Sequence, residues 1–123
     1  MSVTVFLELN LKPENVDDLT SFMRDDLHYT RGFDGCNSIS IQKNQDDPSN
    51  VVLVENWDAK EQFEKYLGWR TERGDIEKMG AWLTGPPSIR CFDNAGVLVT
   101  GRVLSSLQLR LDPSANRLIL KTR

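Results

Sequence analysis

Histidine and cysteine are scarce in this sequence of 123 residues: His28 stands alone, and Cys36 and Cys91 are the only thiols. Neither cysteine belongs to a metal-ligand spacing, so no metal site is expected. Long apolar runs are missing as well, and nothing approaches the ~20 consecutive apolar residues of a membrane-spanning helix. Met1-Ser2-Val3 leads directly into an alternating pattern, without the charged start and apolar core of an export signal. The expectation is therefore a cytoplasmic protein with reduced thiols and no membrane partner. Basic charge is thin where the sequence is most structured. Residues 1–94 carry 10 Lys+Arg against 17 Asp+Glu, a net −7, whereas residues 95–123 carry 5 against 1, a net +4. An acidic body argues against nucleic acid as a partner, because phosphate binding needs concentrated basic surface. Residues 97–123 also lack aromatics.

What is present organises itself around Val51-Val-Leu-Val-Glu-Asn-Trp57. This run of β-branched and aliphatic residues reads as a buried strand, apolar enough to be covered on both faces. Asp58 and Glu61 then have the spacing of a capping box, so strand should pass to helix with almost no loop. Upstream, Val3, Val5, Leu7 and Leu9 alternate with Thr4, Phe6, Glu8 and Asn10 as a strand with one strongly apolar face, and Phe6 makes the other partly apolar. Lys12-Pro13-Glu14 opens a helix whose Val16, Leu19, Phe22, Met23 and Leu27 share one face, and Gly32 is placed to end it in a left-handed conformation. Cys36–Lys43 alternates again, and the turn formers of Asn44–Asn50 should fold it antiparallel onto Val51–Trp57. A helix from Asp58 carries Phe63, Tyr66, Leu67 and Arg70. Gly74 interrupts it before a short helix over Asp75–Leu83, which Gly85-Pro86-Pro87 stops. Ser88–Phe92 is a fourth strand.

Strand, helix, strand, strand, helix, strand is the split order of an α+β, ferredoxin-like βαββαβ fold with a four-stranded antiparallel sheet. Residues 1–94 would form this domain. Both helices lie on one face of such a sheet, and a homodimer packed sheet against sheet would cover the other. Residues 95–123 form a basic tail, either a hairpin of Leu107–Leu111 with Arg117–Lys121 or a poorly ordered appendage.

Gly35-Cys36 opening a strand, the Glu55-x-Trp57-x-x-x-x-x-Phe63 pattern, and Tyr66-Leu67 on the helix that follows resemble the antibiotic biosynthesis monooxygenase domain family over about residues 3–93. The resemblance implies a dimeric α/β barrel built from two ferredoxin-like sheets. It also implies cofactor-independent oxygenation of a small aromatic or quinol-type molecule, with no metal or flavin. In such chemistry the protein stabilises the anion of an acidic phenol or diketone, which then reduces dioxygen. Amide or cationic donors, an aromatic wall and a proton acceptor are required, in a dry pocket. By this resemblance the catalytic candidates are Asn10, Asn56, Trp57 and Arg70. Tyr66, Trp69 and Trp82 on the helices, with Phe6, are the candidate substrate contacts. The haem-degrading branch pairs a first-strand Asn with a Trp and a His in the second helix region. Here Tyr66 falls where that Trp belongs, and no histidine lies between Gly68 and Leu83, so haem binding is disfavoured.

Several of these residues have plainer readings. Trp57 suits a core wedge. Asn56 has the opposite strand parity to Trp57, whereas Glu55 shares it; buried, Glu55 would have a raised pKa and could act as a base, but a solvated carboxylate is the commoner outcome. His28 near a helix C-terminus fits a surface cap, yet its ordinary pKa makes it a general-base candidate. Arg70 is expected to pair with Glu61, Glu64 or Glu72. Arg90, inside a strand, needs a partner. A non-catalytic binding or dimerisation module of the same fold is the alternative function.

Overall fold

A computed structural model of the chain describes residues 2–97, 107–112 and 117–122. Four strands, β1 (Val3–Asn10), β2 (Cys36–Lys43), β3 (Asn50–Trp57) and β4 (Ser88–Asp93), form one sheet in the order β2-β3-β1-β4. Every neighbouring pair is antiparallel. The helices are α1 (Val16–Arg31), α2 (Lys60–Glu72) and α3 (Asp75–Gly80). This is the ferredoxin-like α+β fold expected from the order of elements.

Parity in the strands decides which side chains meet the helices. On β3, Val51, Leu53, Glu55 and Trp57 are buried, while Asn50, Val52, Val54 and Asn56 are half-buried. On β1, Val3, Val5 and Leu9 are buried on the same side. One core cluster joins Leu9, Val51 and Leu53 to Leu19 and Met23 of α1 and Met79 of α3. A second joins Val3, Val5 and Trp57 to Phe63 and Tyr66 of α2. Among the described residues no helix covers the opposite face, which carries Phe6, Val52, Val54 and Phe92, so the covering of both faces expected for β3 is met there on one face only. Arg90 lies on this open face, opposite Phe6 in register, with its guanidinium 5.9 Å from the Phe92 ring centroid.

Three local expectations are corrected. Gly32 has φ −86°, a right-handed value, and its N–H still bonds to the His28 carbonyl. The left-handed residue is Gly35 (φ +89°), where an added Cβ would collide with the Gln62 side chain. Asp58 does not cap α2: the N-cap is Ala59, in extended conformation, and Asp58 Oδ1 instead accepts a bond of 2.9 Å from Asn37 Nδ2. α3 stops at Gly80, and Leu83 forms an isolated bridge with Leu11. Gly74 (φ +83°) separates α2 from α3, as its position in the pattern suggests.

In the tail, β5 (Leu107–Asp112) and β6 (Arg117–Thr122) pair antiparallel, with Leu109 opposite Leu120 and Leu111 opposite Leu118. The turn expected at 113–116 lies outside the described residues.

Candidate functional site

The chemistry concentrates between the helices and the inner face of the sheet. Arg70 is on the last turn of α2 and only 5% exposed. Its Nε donates to Tyr66 Oη at 2.8 Å, Nη1 donates to Asp75 Oδ2 at 2.8 Å and to Asp26 Oδ2, and Nη2 donates to Thr30 Oγ1 at 3.0 Å and to the Asp26 carbonyl at 3.5 Å. Five acceptors meet the five N–H groups of a guanidinium. Tyr66 Oη and Thr30 Oγ1 share a further bond of 2.7 Å. Burial works against the charge on Arg70, but the bonds to Asp75, Asp26 and Tyr66 outweigh it and hold its pKa above the ordinary arginine range. Arg70 is permanently a cation here. Arg73 approaches the same two carboxylates, 3.8 Å from Asp26 and 3.5 Å from Asp75. Arg70 therefore pairs with none of the helix glutamates expected for it; it shares the buried stripe of α2 with Phe63 and Tyr66, which points it inward to Asp26 and Asp75.

Asp26, Thr30 and Asp75 are the members of this network that sequence reasoning did not single out. A signal existed for the first two. Leu19, Met23, Asp26 and Thr30 follow one helical stripe and are all buried, so an acid and a hydroxyl interrupt an apolar face.

Glu55 stands apart from this network and is only 1% exposed. The indole Nε1 of Trp57 donates to its Oε1 at 3.0 Å. Burial raises the Glu55 pKa above the ordinary carboxylate value, and the Trp57 bond and the Arg70 charge only partly offset this. The carboxylate expected to be solvated is thus the most buried acid of the described chain. Burial likewise raises Tyr66, against the bonds from Thr30 and Arg70. Trp57 itself is fully buried, with its ring 5.1 Å from that of Tyr66 and 6.0 Å from that of Phe63.

A cleft reaches these groups. Its outer part has a volume of about 260 Å³ and runs between α3 and the β1–β4 side of the sheet, past Leu9, Leu67, Ile76 and Ile89. Its inner part, about 30 Å³, ends against Glu55, Tyr66 and Arg70. Leu7, Leu67, Ile76 and Met79 wall both parts, so the two adjoin.

The structure brings Trp57, Tyr66, Trp69 and Arg70 together and leaves the other candidates elsewhere. Trp69 packs beside Tyr66 with ring centroids 6.1 Å apart and lies 5.0 Å from the Arg70 guanidinium, whereas Trp82 packs edge-on to Phe22 at 6.0 Å and lines neither part of the cleft. Phe6, Asn10 and Asn56 belong to the outer face: Asn10 accepts from Asn50 at 2.9 Å, and Asn56 accepts from Asn37 at 2.9 Å. His28 is exposed on α1, its ring 4.0 Å from that of Tyr29. Among the described residues no group of histidine, cysteine or acidic side chains is arranged to hold a metal ion, and no helix is long and apolar enough to cross a membrane.

The family model described as antibiotic biosynthesis monooxygenase matches residues 2–70, from β1 to the network arginine on α2. The chain belongs to the antibiotic biosynthesis monooxygenase family. Solved structures agree on the family's fold. A conserved protein from Methanosarcina mazei is 14% identical with a TM-score of 0.69, over 75% of this chain and 91% of its own. A Mycobacterium tuberculosis protein is 21% identical with a TM-score of 0.67, over 78% and 100%. A structure named as an antibiotic biosynthesis monooxygenase is 18% identical with a TM-score of 0.68, over 76% and 98%. These relatives are almost wholly covered, so about a quarter of this chain lies beyond what they share. No curated protein sequence matches the chain.

Proposed function

We propose that this family member is a cofactor-independent monooxygenase acting on an aromatic or quinol-type small molecule held between the sheet and the helices. The observation that carries this reading is an apolar cleft in two adjoining parts, the inner of which presents a buried carboxyl and a phenol. Glu55 is the proton acceptor. Its raised pKa makes it a stronger base, once ionised, than a solvated carboxylate. Trp57 positions it, because the indole N–H fixes Oε1 and leaves the second oxygen for substrate.

For an anthrone-like substrate the step balances as R₂CH₂ + O₂ → R₂C=O + H₂O. Glu55 removes a proton from the activated carbon, and the resulting anion passes an electron to dioxygen. The two radicals combine to a carbon-bound peroxide, which takes the proton back from Glu55. Loss of water from the hydroperoxide then leaves the ketone. Apolar walls favour the step by excluding bulk water from the anion.

The same reading takes the functional unit to be a homodimer. Phe6, Val52, Val54 and Phe92 form an apolar centre on the open sheet face, with the Phe6 and Phe92 rings 5.4 Å apart. A second copy seated sheet to sheet would bury it. Asn10 and Asn56 then serve that contact rather than the chemistry.

One observation favours a non-catalytic binding module instead. All five Arg70 donors are taken by the protein itself, so the arginine cannot bond a substrate oxyanion without releasing a partner. Oxygen uptake by the purified full chain against a panel of quinols, naphthols and anthrones separates the two. Uptake above autoxidation that Glu55→Gln abolishes is the expected result. Ligand binding without uptake across the panel would leave the binding-module reading.

A further inference from the structure

The two parts of the cleft differ in what they can contain. The outer part, at about 260 Å³, approaches the size of a small-ligand site. The inner part, at about 30 Å³, has room for one or two molecules the size of water and none for a ring.

Water, however, would be poorly held there. An enclosed water makes two to four hydrogen bonds, roughly three on average. Met23, Ile39, Leu53 and Met79 offer none. Arg70 has spent its donors, and Tyr66 Oη already bonds both Arg70 and Thr30. One Glu55 oxygen accepts from Trp57, leaving the other as the main polar atom facing the void. A small apolar molecule loses nothing in such a place, and the thioethers of Met23 and Met79 can shift to admit it.

Position adds to size and polarity. The shared walls Leu7, Leu67, Ile76 and Met79 bring anything in the inner void next to the inward edge of a ring in the outer cleft. We infer that the inner void is a dioxygen pocket, which holds the gas beside the Glu55 carboxyl and against the substrate's reacting carbon. This inference rests on the oxygenase reading for the identity of the gas. In the reaction above, the anion at the mouth of the void reduces this dioxygen, and Glu55, which lines the void, returns its proton to the peroxide.

Crystals of the full chain pressurised with xenon test the pocket without any variant. Xenon is apolar and compact, and it enters dry cavities. Xenon seated among Ile39, Leu53 and Met79 is the expected result. An ordered water bonded to Glu55 that xenon does not displace, or xenon confined to the outer cleft, overturns the inference. Steady-state oxygen uptake supplies the second test. Ile39→Phe narrows the void from the half-buried edge strand β2 and should raise the KM for oxygen roughly tenfold while leaving the KM for the organic substrate nearly unchanged. Uptake that persists with both constants unmoved, or with both moved equally, overturns the pocket and leaves the oxygenase reading standing. Absence of uptake with every substrate overturns the oxygenase reading and removes the assignment to dioxygen, whatever xenon does.

Discussion

The two faces of the sheet use the same four strands and alternate residues of the same sequence, yet they solve opposite problems. The inner face is covered by helices and contains what is costly to bury: Glu55, and close by the Arg70–Asp26–Asp75 cluster. The outer face is uncovered among the described residues and contains what is costly to expose, the aromatic pair Phe6–Phe92 among valines. Buried ions are stable only when every partner is in place, whereas an exposed apolar patch is stable until something covers it. Substitutions on the inner face should therefore act on folding, and those on the outer face on assembly.

The largest effect belongs to Arg70. Arg70→Met leaves Asp26 and Asp75 buried without their main cation, and should cost about 3–5 kcal/mol in urea unfolding. A loss below about 1 kcal/mol would mean that Arg73 replaces it, and the network would be redundant. Next is Trp57→Phe, which keeps a ring but removes the donor to Glu55 and leaves a small void, a loss of about 1–3 kcal/mol. NMR titration of Glu55 in that variant should show its pKa raised further; a fall would deny the indole bond its role.

Glu55 gives a smaller, pH-dependent effect. Its folded pKa lies above the unfolded value near 4.5, so below that value both states are protonated and there is no penalty. As pH rises through the window up to the raised pKa, the unfolded chain ionises first and stability falls. Glu55→Gln should flatten this decline, by at most about 1.4 kcal/mol per pH unit within the window. Parallel pH profiles for the two proteins would show that the carboxyl is solvated after all.

The smallest effect on the folded protomer is expected from the outer face. Phe92 is 47% exposed on an edge strand, and Phe92→Ser should change the stability of the dilute protomer by about 0.5 kcal/mol or less. In sedimentation velocity the same substitution should move the protein from dimer to monomer. A wild-type protein that sediments as a monomer at high concentration would leave this face to another partner.

Much of the frame was legible in advance. Alternation in Val3–Leu9 identified the inner face of β1, and the parity of Glu55 with Trp57 placed both on one side of β3, although the apolar run Val51–Val54 suggested a strand covered on both faces. The Glu-x-Trp pattern gave the family. Illegible were the outcomes that depend on competition between distant groups. Asp58 has the spacing of a cap, but Asn37, brought alongside by the β2–β3 pairing, claims its carboxylate. Arg70 has three glutamates within its own helix, but Asp26, 44 residues away, is the partner.

The sequence by itself determined the periodicities, and with them the order of elements, the fold and the face each residue takes, because burial of apolar surface acts on every turn and every pleat locally. Only the tertiary structure decided which polar groups became the interior ones. A buried charge persists where several partners converge from different elements, and here α1, α2 and α3 supply Asp26, Arg70 and Asp75 to a single point.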